Sequence, residues 1–243
     1  MYKNFQRETQ KAFRLFLNVP IASQLKIGDY GTQDGDMTFT MRGNLSDEGV
    51  AIQTRNRANS DKLSIKSENG VTFTLETDGK TIPVNVDLSI NFQNKDSVFI
   101  NVGEQNVTQI TNLVEIENEL IRRRKLDQWD NDLIVITSLY SSGNIVLAGS
   151  SAANAEVKFG TKIDNAGIDV LTTANVNWSL TKADNTNSEY CSISVIDVFY
   201  GAHKLKKVFL RDKHVLEPEK GRYMGIDTSE DNFELSEYIV EKL

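Results

Sequence analysis

The sequence predicts an α+β fold: a twisted antiparallel β-sheet with long amphipathic hairpins, flanked by a few helices. Three observations lead there. Apolar and polar residues alternate over long runs, most cleanly at Ile82, Val84, Val86, Leu88, Ile90 and Phe92, and strand side chains point to opposite faces in turn. After Gly103 the period changes, and apolar residues fall three and four apart as on a helix. The 243 residues are 39% hydrophobic and 25% charged, enough to bury one sizeable core and unlike a disordered chain.

Taken in order, residues 2–17 read as a short amphipathic helix. Phe5, Ala12, Phe13, Phe16 and Leu17 share its apolar face, and Lys3, Arg7, Lys11 and Arg14 lie elsewhere. Such a helix packs on a sheet or lies on a membrane surface. Pro20 ends it. Gly28, Gly31 and Gly35, interspersed with Asp29, Asp34 and Asp36, are turn formers whose spacing fits neither a phosphate loop nor a calcium loop. Strands begin at residues 37–41, and the polar stretch 47–60, with Arg55 and Arg57, is a loop or weak strand. Val71, Phe73 and Leu75 then alternate with Thr72, Thr74 and Glu76, and Asp78-Gly79 signals a hairpin. The strand from Thr81 runs to a polar Asn94-Lys95-Asp96 turn and returns through Val98, Ile100 and Val102. Residues 71–102 thus predict a three-stranded meander, with 81–102 its long hairpin.

Residues 104–125 predict a helix on Val107, Ile110, Leu113, Val114, Leu120 and Ile121. It ends in Arg122, Arg123, Arg124 and Lys125, cations that suit the negative end of a helix dipole or an anionic lipid. Leu133-Ile-Val-Ile is a continuous apolar run, expected of a strand covered on both faces. Gly143-Asn144 turns the chain into residues 145–148, and Ala155, Val157 and Phe159 follow. A second long hairpin climbs through Ile168, Val170, Ala174, Val176, Trp178 and Leu180. It turns over 181–189 and returns over 190–199, which carries Ile193 and Val195. A last short strand covers 205–210. From Glu217 the composition turns acidic, dividing the chain into a domain at 1–216 and a terminal segment at 217–243.

Several functions are disfavoured by composition. A net charge of −7, from 34 acidic and 27 basic residues, argues against a nucleic-acid partner, because phosphate recognition needs a basic footprint. One cysteine and two histidines supply neither a disulfide framework nor a common structural zinc site, and no cofactor is expected. His203 and His214 stand beside no nucleophile motif, and Cys191 lies among strand residues, where a thiol is usually inert. An enzyme is not expected. The first eleven residues are too polar for a signal peptide, and no window is apolar enough for a transmembrane helix, so a soluble cytoplasmic product is expected.

The order of elements resembles the gasdermin family, specifically its short bacterial members. The resemblance rests on residues 131–148 (NDLIVITSLYSSGNIVLA) as core strand and successor, on 155–159 (AEVKF), on 170–180 with 191–199 as a second hairpin, and on 84–102 as part of the first. It implies a soluble, autoinhibited precursor whose segment 217–243 holds the sheet closed. A protease would cut that segment free, at a loop carrying Lys220, Arg222, Tyr223 and Met224. The hairpins would then enter the inner membrane, and many copies would join into a lytic pore serving antiphage defence. The implied partners are an activating protease, membrane lipid and further copies of the chain. The membrane-inserting residues would be Val84, Val86, Leu88, Ile90, Phe92, Val98, Ile100, Ile168, Val170, Ala174, Val176, Trp178, Ile193 and Val195, with Arg122, Arg123, Arg124 and Lys125 meeting lipid.

The residues themselves leave two readings open. The long alternating strands match the roughly 9–11 residues that a tilted strand needs to cross a bilayer. They equally suit a half-buried sheet in a non-catalytic interaction or structural subunit of a larger assembly.

Overall fold

The computed structural model describes residues 2–21, 23–35, 37–59, 63–67, 70–78, 83–164, 169–171, 173, 176–191, 194–208 and 213–218. Helix α1 (Tyr2–Phe13) leads into β1 (Phe16–Leu17), β2 (Asp29–Gln33), β3 (Phe39–Asn44), β4 (Thr54–Asn59) and β5 (Leu63–Lys66). Next come β6 (Val71–Thr77), β7 (Val84–Phe92), β8 (Val98–Val102), β9 (Gln105–Ile110) and helix α2 (Leu113–Lys125). The chain continues through β10 (Ile134–Ser142), β11 (Ile145–Ser150), β12 (Ala155–Ile163) and β13 (Ser179–Asp184). It closes with β14 (Thr186–Cys191), β15 (Ile196–Val208) and β16 (Lys213–Pro218). The described residues form an α+β architecture of three sheets and two helices, and every strand pairing among them is antiparallel.

The base sheet is built on β10 and β15, long enough to carry two partners end to end along one edge. β2 and β9 share the edge of β10, and β1 and β16 share that of β15, with β3 beyond β2 and β4 beyond β9. The middle sheet runs β14-β11-β8-β5 and the outer sheet β13-β12-β7-β6. The two orders mirror each other because each sheet holds half of two bent ribbons. In the first ribbon β5 pairs β8 in the middle sheet, and beyond a corner β6 pairs β7 in the outer one. In the second, β11 pairs β14 and β12 pairs β13.

This arrangement moves the predicted first hairpin. Asn94-Lys95-Asp96 is a corner between sheets, not a hairpin turn, so β7 and β8 do not pair and residues 71–102 are not a meander. Asp96 takes a φ of 62° there, as Asn185 takes 54° at the corner of the second ribbon. The buried Ser150 closes the first corner: its hydroxyl donates to Asn94 O at 2.7 Å and accepts from Ser97 N at 2.9 Å.

Other expectations shift for local reasons. α1 stops at Phe13, with Arg14 at a φ of 57°, and Phe16 and Leu17 become β1, both wholly buried. The Gln6 carboxamide stitches helix to strand, accepting from Leu17 N at 2.8 Å and donating to Leu17 O at 2.7 Å. Gly28 does serve a turn, at a φ of +85°. Gly31 instead sits inside β2, where a Cβ would lie 2.0 Å from Thr40 O. The predicted helix at 104–125 is half strand: residues 105–110 form β9 between β4 and β10, and α2 begins at Leu113. Among the described residues no helix is long and apolar enough to cross a membrane. The predicted last strand is the far end of β15, and β16 runs through Pro218, past the expected boundary at 216/217. Residues 219–243, with the expected latch, lie outside the described residues.

Four clusters fill the interior. The apolar face of the outer sheet packs on Phe99, Val146 and Ala148 of the middle sheet. The opposite face of the middle sheet packs through Ile100, Val102, Ile145 and Leu147 on Phe5 of α1, Leu17 of β1 and Phe199 of β15. With both faces covered, β8 and β11 bury every residue, as continuous apolar runs require. The base sheet carries α2 on one side, around Ile116, Leu120 and Val135, and the ring of Tyr200 on the other.

His203, in β15, packs beside Thr137 of β10, its Nδ1 2.7 Å from the threonine hydroxyl. Burial pushes its pKa down from 6.5 to about 4. The unfolded chain therefore binds the proton first, so stability is full above pH 6.5 and falls as the pH drops toward 4. The shift corresponds to about 3 kcal/mol at most. Urea midpoints measured between pH 7 and 4 should show this loss, and His203→Gln should flatten it.

Candidate membrane-entering sheet

The outer sheet is built from β7 and β12, each of nine residues and paired with each other along their whole length. On β7, Val84, Val86, Leu88, Ile90 and Phe92 are at most 4% exposed, while Asn85, Asp87 and Asn91 face solvent. On β12, Ala155, Val157, Phe159 and Ile163 point inward with Thr161, and Glu156, Lys158 and Lys162 point out. β6 keeps the phase, Thr72, Thr74 and Glu76 lying outward and Val71 and Phe73 packing on the core.

Register makes the outer face a set of polar rows. Thr72, Asn91, Glu156 and Asp184 form one row, and Thr74, Ser89, Lys158 and Lys182 form the next. Glu156 accepts from Lys182 and lies 3.4 Å from the Lys158 ammonium. Exposed pairs of this kind contribute little to stability. They do keep charge on one face only. The inner row Leu75, Leu88, Phe159 and Leu180 runs from edge to edge, and its ends are partly open, Leu75 at 38% and Leu180 at 46% exposed. Beyond those ends, β6 and β13 each leave one edge unpaired among the described residues.

The connection from β12 to β13 is the unexpected part. Residues 168–180 were expected to form a strand; the described residues 169–171, 173 and 176–178 are irregular, and β13 starts only at Ser179. They cross beneath the sheet as a strap that buries Val170, Leu171, Val176 and Trp178 among the apolar residues of β7 and β12. Two wholly buried asparagines of the middle sheet region hold it. Asn144 donates to Val170 O at 2.8 Å and Thr173 O at 2.7 Å, and accepts from Trp178 Nε1 at 3.0 Å. Asn101 donates to Leu171 O at 3.0 Å. Captured carbonyls and a captured indole are what keep an alternating sequence out of the ladder. Pattern reading missed both asparagines, the signal being a lone amide inside the apolar run of β8 and one directly before that of β11.

The remaining expected residues are scattered. Val98 and Ile100 face the cluster around α1, on the side of the middle sheet away from the outer one. Val195 is 55% exposed between β14 and β15. Ile168, Ala174, Ile193, Lys220, Arg222, Tyr223 and Met224 lie outside the described residues. Arg122, Arg123, Arg124 and Lys125 form the last turn of α2, which packs on the base sheet. Arg122 and Arg123 both donate to Glu119, holding its carboxyl down at about 2. Arg123 also reaches Glu48, and Arg124 donates to Trp129 O at 3.3 Å. Lys125 is exposed.

No family model matches the chain, and no curated protein matches it. Among solved structures, a bacterial gasdermin from Bradyrhizobium tropiciagri aligns over 86% of this chain and 88% of that one, at 10% identity and a TM-score of 0.35. That likeness is too distant to assign a family.

Proposed function

We propose that this chain is a pore-forming protein whose outer sheet leaves its resting place, enters a membrane and joins further copies in a β-barrel. One observation carries the reading: β7 and β12 pair over nine residues with no charged side chain on the shared inner face. Nine residues are what a tilted strand needs to cross a hydrocarbon layer, and a barrel wall must be apolar on one face and tolerate charge on the other. Barrel closure pairs every backbone group, the condition for strands to sit in lipid. The open edges of β6 and β13 supply the pairing positions for neighbouring copies.

Under this reading the acidic terminal segment restrains the resting form, and proteolysis near Lys220, Arg222, Tyr223 and Met224 releases it. Lytic death in antiphage defence, inner-membrane action and lipid contact through Arg122, Arg123, Arg124 and Lys125 belong to the same proposal, as does the non-enzymatic, cytoplasmic precursor. The test is dye release from vesicles containing anionic lipid. A chain ending at Pro218, which keeps β16 whole, should empty them within minutes while the full chain leaves them sealed. Sealed vesicles with both forms would contradict the proposal and favour a structural subunit whose sheet edges meet protein.

A further inference from the structure

Neighbouring antiparallel strands are ordinarily joined by two to five residues, yet β12 ends at Ile163 and β13 begins at Ser179. The excursion shortens the ladder. β13 pairs only residues 156–160 of β12, and Thr161 Oγ1 donates instead to Asn177 O at 2.8 Å. Long connections in compact domains are uncommon, and those that pack rather than act as linkers are usually functional. This one places its apolar side chains where the outer sheet meets the middle one.

From these contacts we infer that the strap formed by residues 169–171, 173 and 176–178 is an internal lock on the outer sheet, and that Asn144 is its bolt. The inference rests on the proposed pore reading for its purpose, though not for its geometry. Val170, Leu171, Val176 and Trp178 share one cluster with both β7 and the middle-sheet residues Phe99, Val146 and Ala148, so separating the sheets requires displacing them. The lock is polar where an apolar filler would give a simpler core. Asn101 and Asn144 are 0% exposed, and the Oδ1 of Asn101 has no hydrogen-bond partner among the described residues. Buried amides hold firmly while bonded and are unfavourable once a partner leaves. Release of the strap is therefore cooperative: losing Trp178 from Asn144 strands the amide and favours the next step. The strap also has a destination, since extending the β12–β13 register past Gly160–Ser179 sets Trp178 opposite Thr161 and Val176 opposite Ile163. Removal of the terminal segment is then one of two steps, the strap being the second.

Native-state hydrogen exchange on the full chain, without lipid, tests the lock directly. In the wild type the Leu171 and Thr173 amides, bonded to Asp169 Oδ1 and Asp169 O, should exchange before the amides of β7. Trp178→Phe, which keeps a ring but removes the indole donor, should speed exchange about tenfold at Leu171 and Thr173 and also at β7, leaving α2 unchanged. The lock is overturned if strap and β7 amides exchange together in the wild type, or if Trp178→Phe frees the strap without touching β7. Vesicle leakage separates this from the pore reading. Faster dye release by the trimmed Trp178→Phe chain supports the lock, and unchanged release with a loosened strap overturns it. Sealed vesicles with the trimmed wild type count against the pore, and the exchange result still decides the lock.

Discussion

Replacing Asn144 with alanine is expected to lower the unfolding free energy by about 3–5 kcal/mol, a large share of what a domain this size has to lose. The side chain is wholly buried and makes three hydrogen bonds: two donated to carbonyls and one accepted from Trp178. Alanine leaves two carbonyls and an indole N–H without partners, and each buried orphan costs about 1–3 kcal/mol. The space vacated admits water, which holds the total below the simple sum. Asn144→Asp is expected to be no better at neutral pH, because it loses both donations and buries a carboxylate against the carbonyls of Val170 and Thr173. Urea unfolding at constant m-value gives the number. A loss under about 1 kcal/mol would mean the strap is not held as described. A double-mutant cycle with Trp178→Phe isolates the indole–amide bond, and the coupling should be about 1 kcal/mol.

Much of the fold was legible because it depends on period alone. The two faces of β7 follow from strict alternation, and the doubly covered start of β10 from an unbroken apolar run. What period does not distinguish is a hairpin turn from a corner. Asn94-Lys95-Asp96 has the polarity and the positive φ of a turn, and only the partner of β8, which is β11 and β5 rather than β7, shows that the chain changes sheet there. The start of α2 was obscured for a related reason. Val107 and Ile110 are three apart, as on a helix face, but β9 is bracketed by two strands and so buries Gln105, Val107 and Ile110 together. Asn112, a natural helix cap, spends its amide on Gln53 N and Ala51 O instead.

For the candidate site, the alternating strand at 84–92 was readable and the strap was not. A sequence with Val170, Val176 and Trp178 in phase satisfies the strand template, and tertiary bonds from Asn101 and Asn144 override it. The basic run at the end of α2 shows the reverse. Its residues were visible, but their electrostatic role is set by Glu119 and Glu48, which take up Arg122 and Arg123.

The second large effect concerns the alternation itself, and the outer sheet offers a pair of neighbouring positions that report on it. Leu75 and Thr74 are adjacent on β6 and both accessible enough to label in the resting form, yet they belong to opposite faces. With Cys191 replaced by serine, a cysteine carrying an environment-sensitive dye is placed at one position or the other, on the chain ending at Pro218. The measurement is dye emission on adding vesicles, with quenchers confined either to the acyl chains or to water. A barrel wall predicts that the label at residue 75 shifts to the blue and is quenched from the lipid, while the label at 74 stays open to aqueous iodide. Identical behaviour at the two sites, whether both wet or both in lipid, would contradict the claim that this sheet enters the membrane as strands.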